Sequence, residues 1–251
     1  MKKILILACI VSLYSCNNTT TNDKTSIYAD ETVLIVNYQI ENMSIEEHAE
    51  LGSAVAPNFT SENVPGLLGK SFVSDFDRGV FGGIYYFSDS ESVDLFLESD
   101  LWKGVVAHPN LVNFKTDIFK TFDGTELANG NHSMRRTSSD PLDADGLYIL
   151  VVNYTNEVNP TEEEMSSQVK QYAPVFSNEN FPGMIGKTMI NSIDGNIYGG
   201  VYYFTSRTAI DDYFGSELWK GFEGDSNTNV YKKDVYGVAP ISVISNGVPV
   251  L

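Results

Sequence analysis

The sequence predicts an α+β fold built from two fused β-α-β-β-α-β repeats that pair within one chain. Three observations carry that prediction. The stretch FGGIYYFSDSESVDLFLESDLWKG (Phe81–Gly104) returns as YGGVYYFTSRTAIDDYFGSELWKG (Tyr198–Gly221), 117 residues later. Around it, Val64–Phe119 aligns with Phe181–Tyr236 without a gap, with 19 identities in 56 positions. Within each copy the apolar pattern alternates between strand-like runs and helix-like spacing in the same order.

The elements follow in order. The first strands are the β-branched runs VLIVNY (Val33–Tyr38) and ILVVNY (Ile149–Tyr154), offset by 116. The change of offset places one inserted or deleted residue in the helix that follows. That helix starts in the first copy at Ser44, with Glu47 completing a capping box. In the second copy Asn159 is the expected N-cap, with Pro160 at the first helical position and Glu162 in the first turn. Pro57 and Pro174 mark where these helices end. A Pro-Gly turn in NVPGLLGK and FPGMIGK leads into the second strand. FGGIYYF and YGGVYYF form the third, where paired glycines suit a bulge or a close backbone approach. Ser88 with Glu91 then caps a second helix whose Val93, Phe96, Leu97 and Leu101 have helical spacing. FKTDIF and YKKDVY are the fourth strands.

This is the split βαβ, or ferredoxin-like, order. A four-stranded sheet with helices on one face leaves its other apolar face needing cover. Two copies in one chain supply that cover to each other at high effective concentration.

The ends and the composition set the context. Residues 1–16 read as an export signal, with Lys2 and Lys3 ahead of a short apolar run. Leu13-Tyr14-Ser15-Cys16 resembles a bacterial lipobox, which makes Cys16 the lipidation site and implies attachment to a bacterial membrane in the cell envelope. Residues 17–30 are a polar tether, 31–123 the first repeat, 124–146 a polar linker and 147–251 the second repeat. Arg135-Arg136 is a plausible nicking site in that linker. The two cysteines, Cys9 and Cys16, both fall in or at the end of the signal, so no disulfide is expected in the mature repeats. The chain holds 33 acidic against 16 basic residues, a formal net charge of −17. That excess argues against nucleic acid, whose phosphates need Lys and Arg, and against electrostatic docking on anionic lipid.

PGLLGK, GGIYYF, a helix ending LWKG and then FKTDIF resemble the YdhR-type monooxygenase family of dimeric α+β barrels, and both copies carry the pattern. The resemblance implies an intramolecular barrel that behaves as a monomer, with a pocket between sheet and helices for a small hydrophobic or aromatic molecule. It implies an oxidation of that molecule without a cofactor. A non-catalytic module that binds such a ligand, or a partner protein, on the same fold is the alternative.

A site inherited by both halves should recur in both. Asn37 and Asn153 recur on the first strands, and the resemblance implies an amide that orients substrate or dioxygen. An asparagine bonded to an adjacent loop explains them equally. Tyr85 with Tyr202, and Trp102 with Trp219, are the expected lining of the pocket, although each also fits simple core packing. Lys70 recurs as Lys187, and Lys115 and Asp117 recur as Lys232 and Asp234, which a ladder ion pair at the barrel rim explains as well as catalysis does. The three histidines do not recur, since His48 aligns near Met165, His108 aligns with Asp225 and His132 lies in the linker. No shared metal site or histidine base is therefore expected. Haem-degrading members of the superfamily place a tryptophan where Phe96 and Tyr213 stand here, with a histidine shortly after, and this chain lacks that pairing. A phosphate loop, a serine elbow, CxxC and HExxH are all absent from the sequence.

Overall fold

A computed structural model describes residues 30–125, 146–158, 160–193 and 195–247. The signal, Cys16, nearly all of the tether, Asn159, His132 and the Arg135-Arg136 pair lie outside the described residues. The first repeat comprises β1 (Thr32–Ile40), α1 (Ile45–Val55), β2 (Leu67–Asp75), β3 (Val80–Phe87), α2 (Ser90–Glu98), α3 (Asp100–Val106) and β4 (Leu111–Thr121). The second comprises β5 (Tyr148–Asn156), α4 (Glu162–Tyr172), β6 (Met184–Ser192), β7 (Tyr198–Phe204), α5 (Arg207–Gly215), α6 (Glu217–Glu223) and β8 (Thr228–Val238). No helix among the described residues is long and apolar enough to cross a membrane.

The eight strands close into one antiparallel barrel in the order β1-β3-β2-β8-β5-β7-β6-β4. Each repeat supplies a four-stranded sheet of ferredoxin-like order. The seams join β2 to β8 at Val73↔Val238 and β4 to β6 at Lys120↔Asn191. Inside the barrel, alternate residues from both sheets form one core that includes Val33, Ile35, Ile84, Ile149, Val151 and Val201. The opposite faces pack against helices as two separate cores, one per repeat. The expectation that each repeat covers the other's apolar sheet face holds in this arrangement.

Several local readings need correction. α1 and α4 are both 11 residues long, and their N-caps Ser44 and Thr161 are 117 apart. The one-residue difference therefore lies in the loop between first strand and helix, where an insertion disturbs no helical register. The cap of α4 is Thr161, not Asn159. Its hydroxyl accepts from Glu164 N at 3.2 Å and Glu164 returns a bond to Thr161 N at 2.8 Å, so a full capping box outcompetes the Pro-led start. The cap of α2 is Asp89, not Ser88, because its carboxylate accepts from Ser92 N at 2.7 Å. The expected long second helix is two helices. Ser99 ends α2 in extended backbone and its hydroxyl caps α3 at Trp102 N, a pattern Ser216 repeats between α5 and α6. Trp102 and Trp219 thus sit in the first turn of a new helix.

The paired glycines mark close approach rather than a bulge, since the β1–β3 register runs unbroken through Gly82 and Gly83. A Cβ on Gly82 would lie 1.9 Å from Val36 O. A Cβ on Gly83 would lie 3.0 Å from Lys70 Cε, so Gly83 clears a path for the lysine stem, as Gly200 does for Lys187.

The end of the second repeat crosses to the first. Ala239 N donates to Phe72 O at 2.8 Å, and Lys70 N donates to Ser245 O at 2.9 Å. Ser245 Oγ donates to Lys70 O at 2.6 Å and Ser71 Oγ to Gly247 O at 2.6 Å. This strap, residues 239–247, covers the part of β2 that does not pair with β8.

Candidate functional site

Between the sheet of the first repeat, α1, α3 and the strap lies a cavity of about 430 Å³. A comparison of the two repeats explains its existence. In the second repeat Met165 and Val169 on α4 are buried against the sheet, whereas α1 buries no residue fully. The positions 117 residues earlier are His48 and Gly52, and both line the cavity. One polar side chain and one missing side chain on the inner face of α1 hold that helix's wall open. Ile241 of the strap completes it, with its Cδ1 3.2 Å from where a Gly52 Cβ would stand.

The cavity's back wall is sheet. Tyr38, Lys70 and Tyr85 face it, with Lys70 and Tyr85 directly paired across β2 and β3. Phe59, from the turn after α1, and Trp102 add aromatic surface, and Trp102 lies 5.6 Å from Phe96 between ring centroids. Burial raises the pKa of Tyr38 and Tyr85 well above the ordinary phenol range, so both stay protonated. Burial lowers the pKa of His48, which keeps its imidazole neutral near pH 7. Tyr38 OH and His48 Nε2 share a hydrogen bond of 2.8 Å. In the tautomer whose Nε2–H donates to the Tyr38 oxygen, Nδ1 of the neutral imidazole is the nitrogen that can accept a proton from a bound molecule.

Lys70 is 4% exposed, and burial lowers its pKa well below the usual lysine value. Its Nζ lies 3.1 Å from the Phe59 ring centroid, 3.8 Å from Phe72 and 4.6 Å from Tyr85. No carboxylate pairs with it among the described residues. Groups of three or more His, Cys, Asp or Glu suited to hold a metal are absent among the described residues.

The sequence-derived residues divide between two faces of the sheet. Tyr85 and Trp102 line the cavity. Tyr202 and Trp219 take the matching places in the second repeat, where both are buried in the helix-side core and Trp219 Nε1 donates to Glu223 Oε2 at 3.0 Å. Asn37 and Asn153 continue the barrel-side series Val33-Ile35 and Ile149-Val151, not the cavity side. Asn37 Oδ1 accepts from Tyr236 OH at 3.1 Å, a bond across the barrel and not to an adjacent loop. Asn153 Oδ1 is buried without a hydrogen-bond partner among the described residues. The cavity and the two amides are therefore on opposite sides of the sheet.

Sequence comparison of the halves missed His48 and His108, both of which line the cavity. The filter demanded recurrence, and the site is built from residues that differ between the halves. The mismatch of His48 and Gly52 with Met165 and Val169 was the available signal. The rim ion pair forms between repeats: Lys232 Nζ lies 3.1 Å from Asp117 and 3.6 Å from Asp234.

Barrel and cavity together define a dimeric α+β barrel protein folded from one chain. Residues 33–131, the first repeat and the residues just after it, match the family described as "Putative mono-oxygenase ydhR". Solved structures extend the likeness over both repeats. A protein described as a "putative monooxygenase" from Lactobacillus acidophilus NCFM aligns at 15% identity over 84% of this chain and 93% of its own, with a TM-score of 0.53. One from Fusobacterium nucleatum aligns at 11% identity over 84% and 92%, with a TM-score of 0.53. An anthrone oxidase-like protein aligns at 10% identity over 85% and 93%, with a TM-score of 0.52. These likenesses establish the fold. No curated protein matches the chain significantly.

Proposed function

We propose that this chain is a lipid-anchored, monooxygenase-like protein whose first repeat binds a small hydrophobic or aromatic molecule between sheet and helices. The observation that carries the reading is the cavity of about 430 Å³, walled by aromatic side chains with a few convergent polar groups. Ligand sites are characteristically apolar clefts of roughly 300–1,000 Å³ with that composition. The match of residues 33–131 to a mono-oxygenase family supports oxidation as the chemistry. An activated CH₂ in the ligand, once deprotonated, reacts with dioxygen to give a carbonyl and water, which needs no external reductant. His48, held by Tyr38, is the base of this reading, and Tyr85 and Trp102 position the ring.

One observation favours the non-catalytic alternative. Asn37 and Asn153, to which the resemblance assigns dioxygen, face the barrel interior and not the cavity. Oxygen uptake and tryptophan fluorescence, followed together with quinols, polyphenols and haem, separate the two readings. Uptake that falls at least about 100-fold in His48→Ala supports the oxidase. Fluorescence change without uptake supports the binding module, and neither signal refutes both. Attachment through Cys16 rests on the Leu13–Cys16 sequence alone. Labelled fatty acid should enter the wild-type chain in a bacterial host and be absent from Cys16→Ser. The reading also has the chain monomeric, with its repeats as each other's partner, which sedimentation tests.

A further inference from the structure

The reading above leaves Lys70 without a task. An amine at this depth is costly unless something answers it. Charged, it needs a counter-ion that the described residues do not supply, and neutral, it has given up its hydration for three aromatic faces. Its place is specific. Gly83 lets the stem cross the sheet, and the strap bonds to both backbone groups of Lys70. The amine is thereby fixed at the wall of the cavity. The titratable groups around that cavity are Tyr38 and Tyr85 from the sheet, His48 from α1, and Asp100 and His108 from α3 and the loop after it. The strap brings none. Asp100 is exposed, both phenols are held protonated and His48 is held neutral. No buried anion faces the amine among the described residues.

We propose that the cavity takes its ligand as an organic anion, an aromatic body bearing one carboxylate, phenolate or enolate, with Lys70 as the cation it pairs with. This rests on the reading of the cavity as the ligand site and specifies the ligand's polar end. Burial lowers the pKa of the unpaired amine. Pairing with an anion in a low-dielectric site favours the ammonium, so binding draws a proton from solution. The pair forms away from the acidic exterior, whose charges are screened beyond roughly 8–10 Å at physiological salt. An enolate held this way is also the form of substrate that dioxygen attacks, so one lysine serves binding in both readings of function.

The test uses the full chain, naphthoic acid as the anionic probe and naphthalenemethanol as its neutral analogue, with affinities measured by fluorescence titration near pH 7. Lys70→Met keeps the length of the stem and removes the charge. Losing one partner of a buried charge pair weakens binding by at least about 30-fold. Naphthoate affinity should fall by that factor in Lys70→Met while naphthalenemethanol shifts less than about threefold. Calorimetry in two buffers of different ionisation enthalpy should show proton uptake with naphthoate in the wild type and none in the variant. Equal binding of both probes, unchanged by Lys70→Met, overturns the lysine pairing and leaves the cavity reading standing. Failure of both probes to bind the wild type overturns the cavity reading itself, and this proposal with it. If Lys70→Met does not fold, the wild-type buffer dependence decides, and binding without proton uptake refutes the pairing.

Discussion

Gly52→Val should fill the first-repeat cavity, stabilise the protein and remove aromatic binding. The reasoning starts from the second repeat, where Val169 occupies the equivalent place on α4 and is buried. At Gly52 a new Cβ meets Ile241 Cδ1 at 3.2 Å, the movable end of a side chain that must shift by a few tenths of an ångström. Burying about two methyl groups is worth roughly 0.8 kcal/mol each. Replacing glycine inside a helix adds a few tenths of a kcal/mol. The total is about 1–2 kcal/mol, which for a domain of this size raises Tm by roughly 3–6 °C. Thermal unfolding by circular dichroism reads the first effect. Titration with naphthalenemethanol reads the second, a loss of at least about tenfold, or about 1.4 kcal/mol. A variant that is more stable yet binds as before would refute the placement of the ligand against α1. A variant that is less stable would refute the comparison of the two helices.

Four further outcomes follow from the same geometry. Trp102 lies at the cavity and Trp219 in the closed core, so ligand-dependent fluorescence should vanish in Trp102→Phe and persist in Trp219→Phe. Burial brings the Lys187 pKa down from 10.5 to about 7, so the unfolded chain holds a proton that the folded chain lacks between those values. Stability should therefore rise with pH from about 7 towards 9 and be lost as pH falls back through that window, and Lys187→Met should flatten the slope in denaturant titrations. Arg78 bridges Asp75 and Asp234 across the β2–β8 seam at 2.5 and 2.6 Å, but it is 46% exposed. Arg78→Ala should then cost no more than about 1 kcal/mol, and less in high salt. Asn153→Val removes a buried oxygen that has no partner among the described residues, so Tm should hold or rise, whereas a fall of several degrees would reveal a bond the amide makes.

The fold was legible because its signals are repeated. Each half states the same turns, glycines and strand runs, and the unpaired face of a four-stranded sheet required a second sheet. Helix starts were less legible. Asp89 and Thr161 won their caps through side-chain bonds to backbone N–H groups, a capacity that Ser88 and Asn159 offer equally as residue types. The break at Ser99 also hid, since Ser99 carries the helical pattern across itself while its hydroxyl restarts the helix. The cavity was hidden for another reason. Comparing the halves selects what they share, and what they share here is mostly the barrel and its packing. The space comes from what they do not share, His48 and Gly52 against Met165 and Val169. Which face Asn37 takes depended on strand register, and one residue's shift reverses every side chain.

The most direct measurement is a map of ligand contact by NMR on the isotope-labelled chain, titrated with naphthalenemethanol and naphthoate. The account predicts one saturable site per chain, with shifts concentrated at Tyr38, His48, Lys70, Tyr85 and Trp102. Shifts centred instead on Asn37, Tyr236 and Asn153 would put the ligand inside the barrel and contradict it.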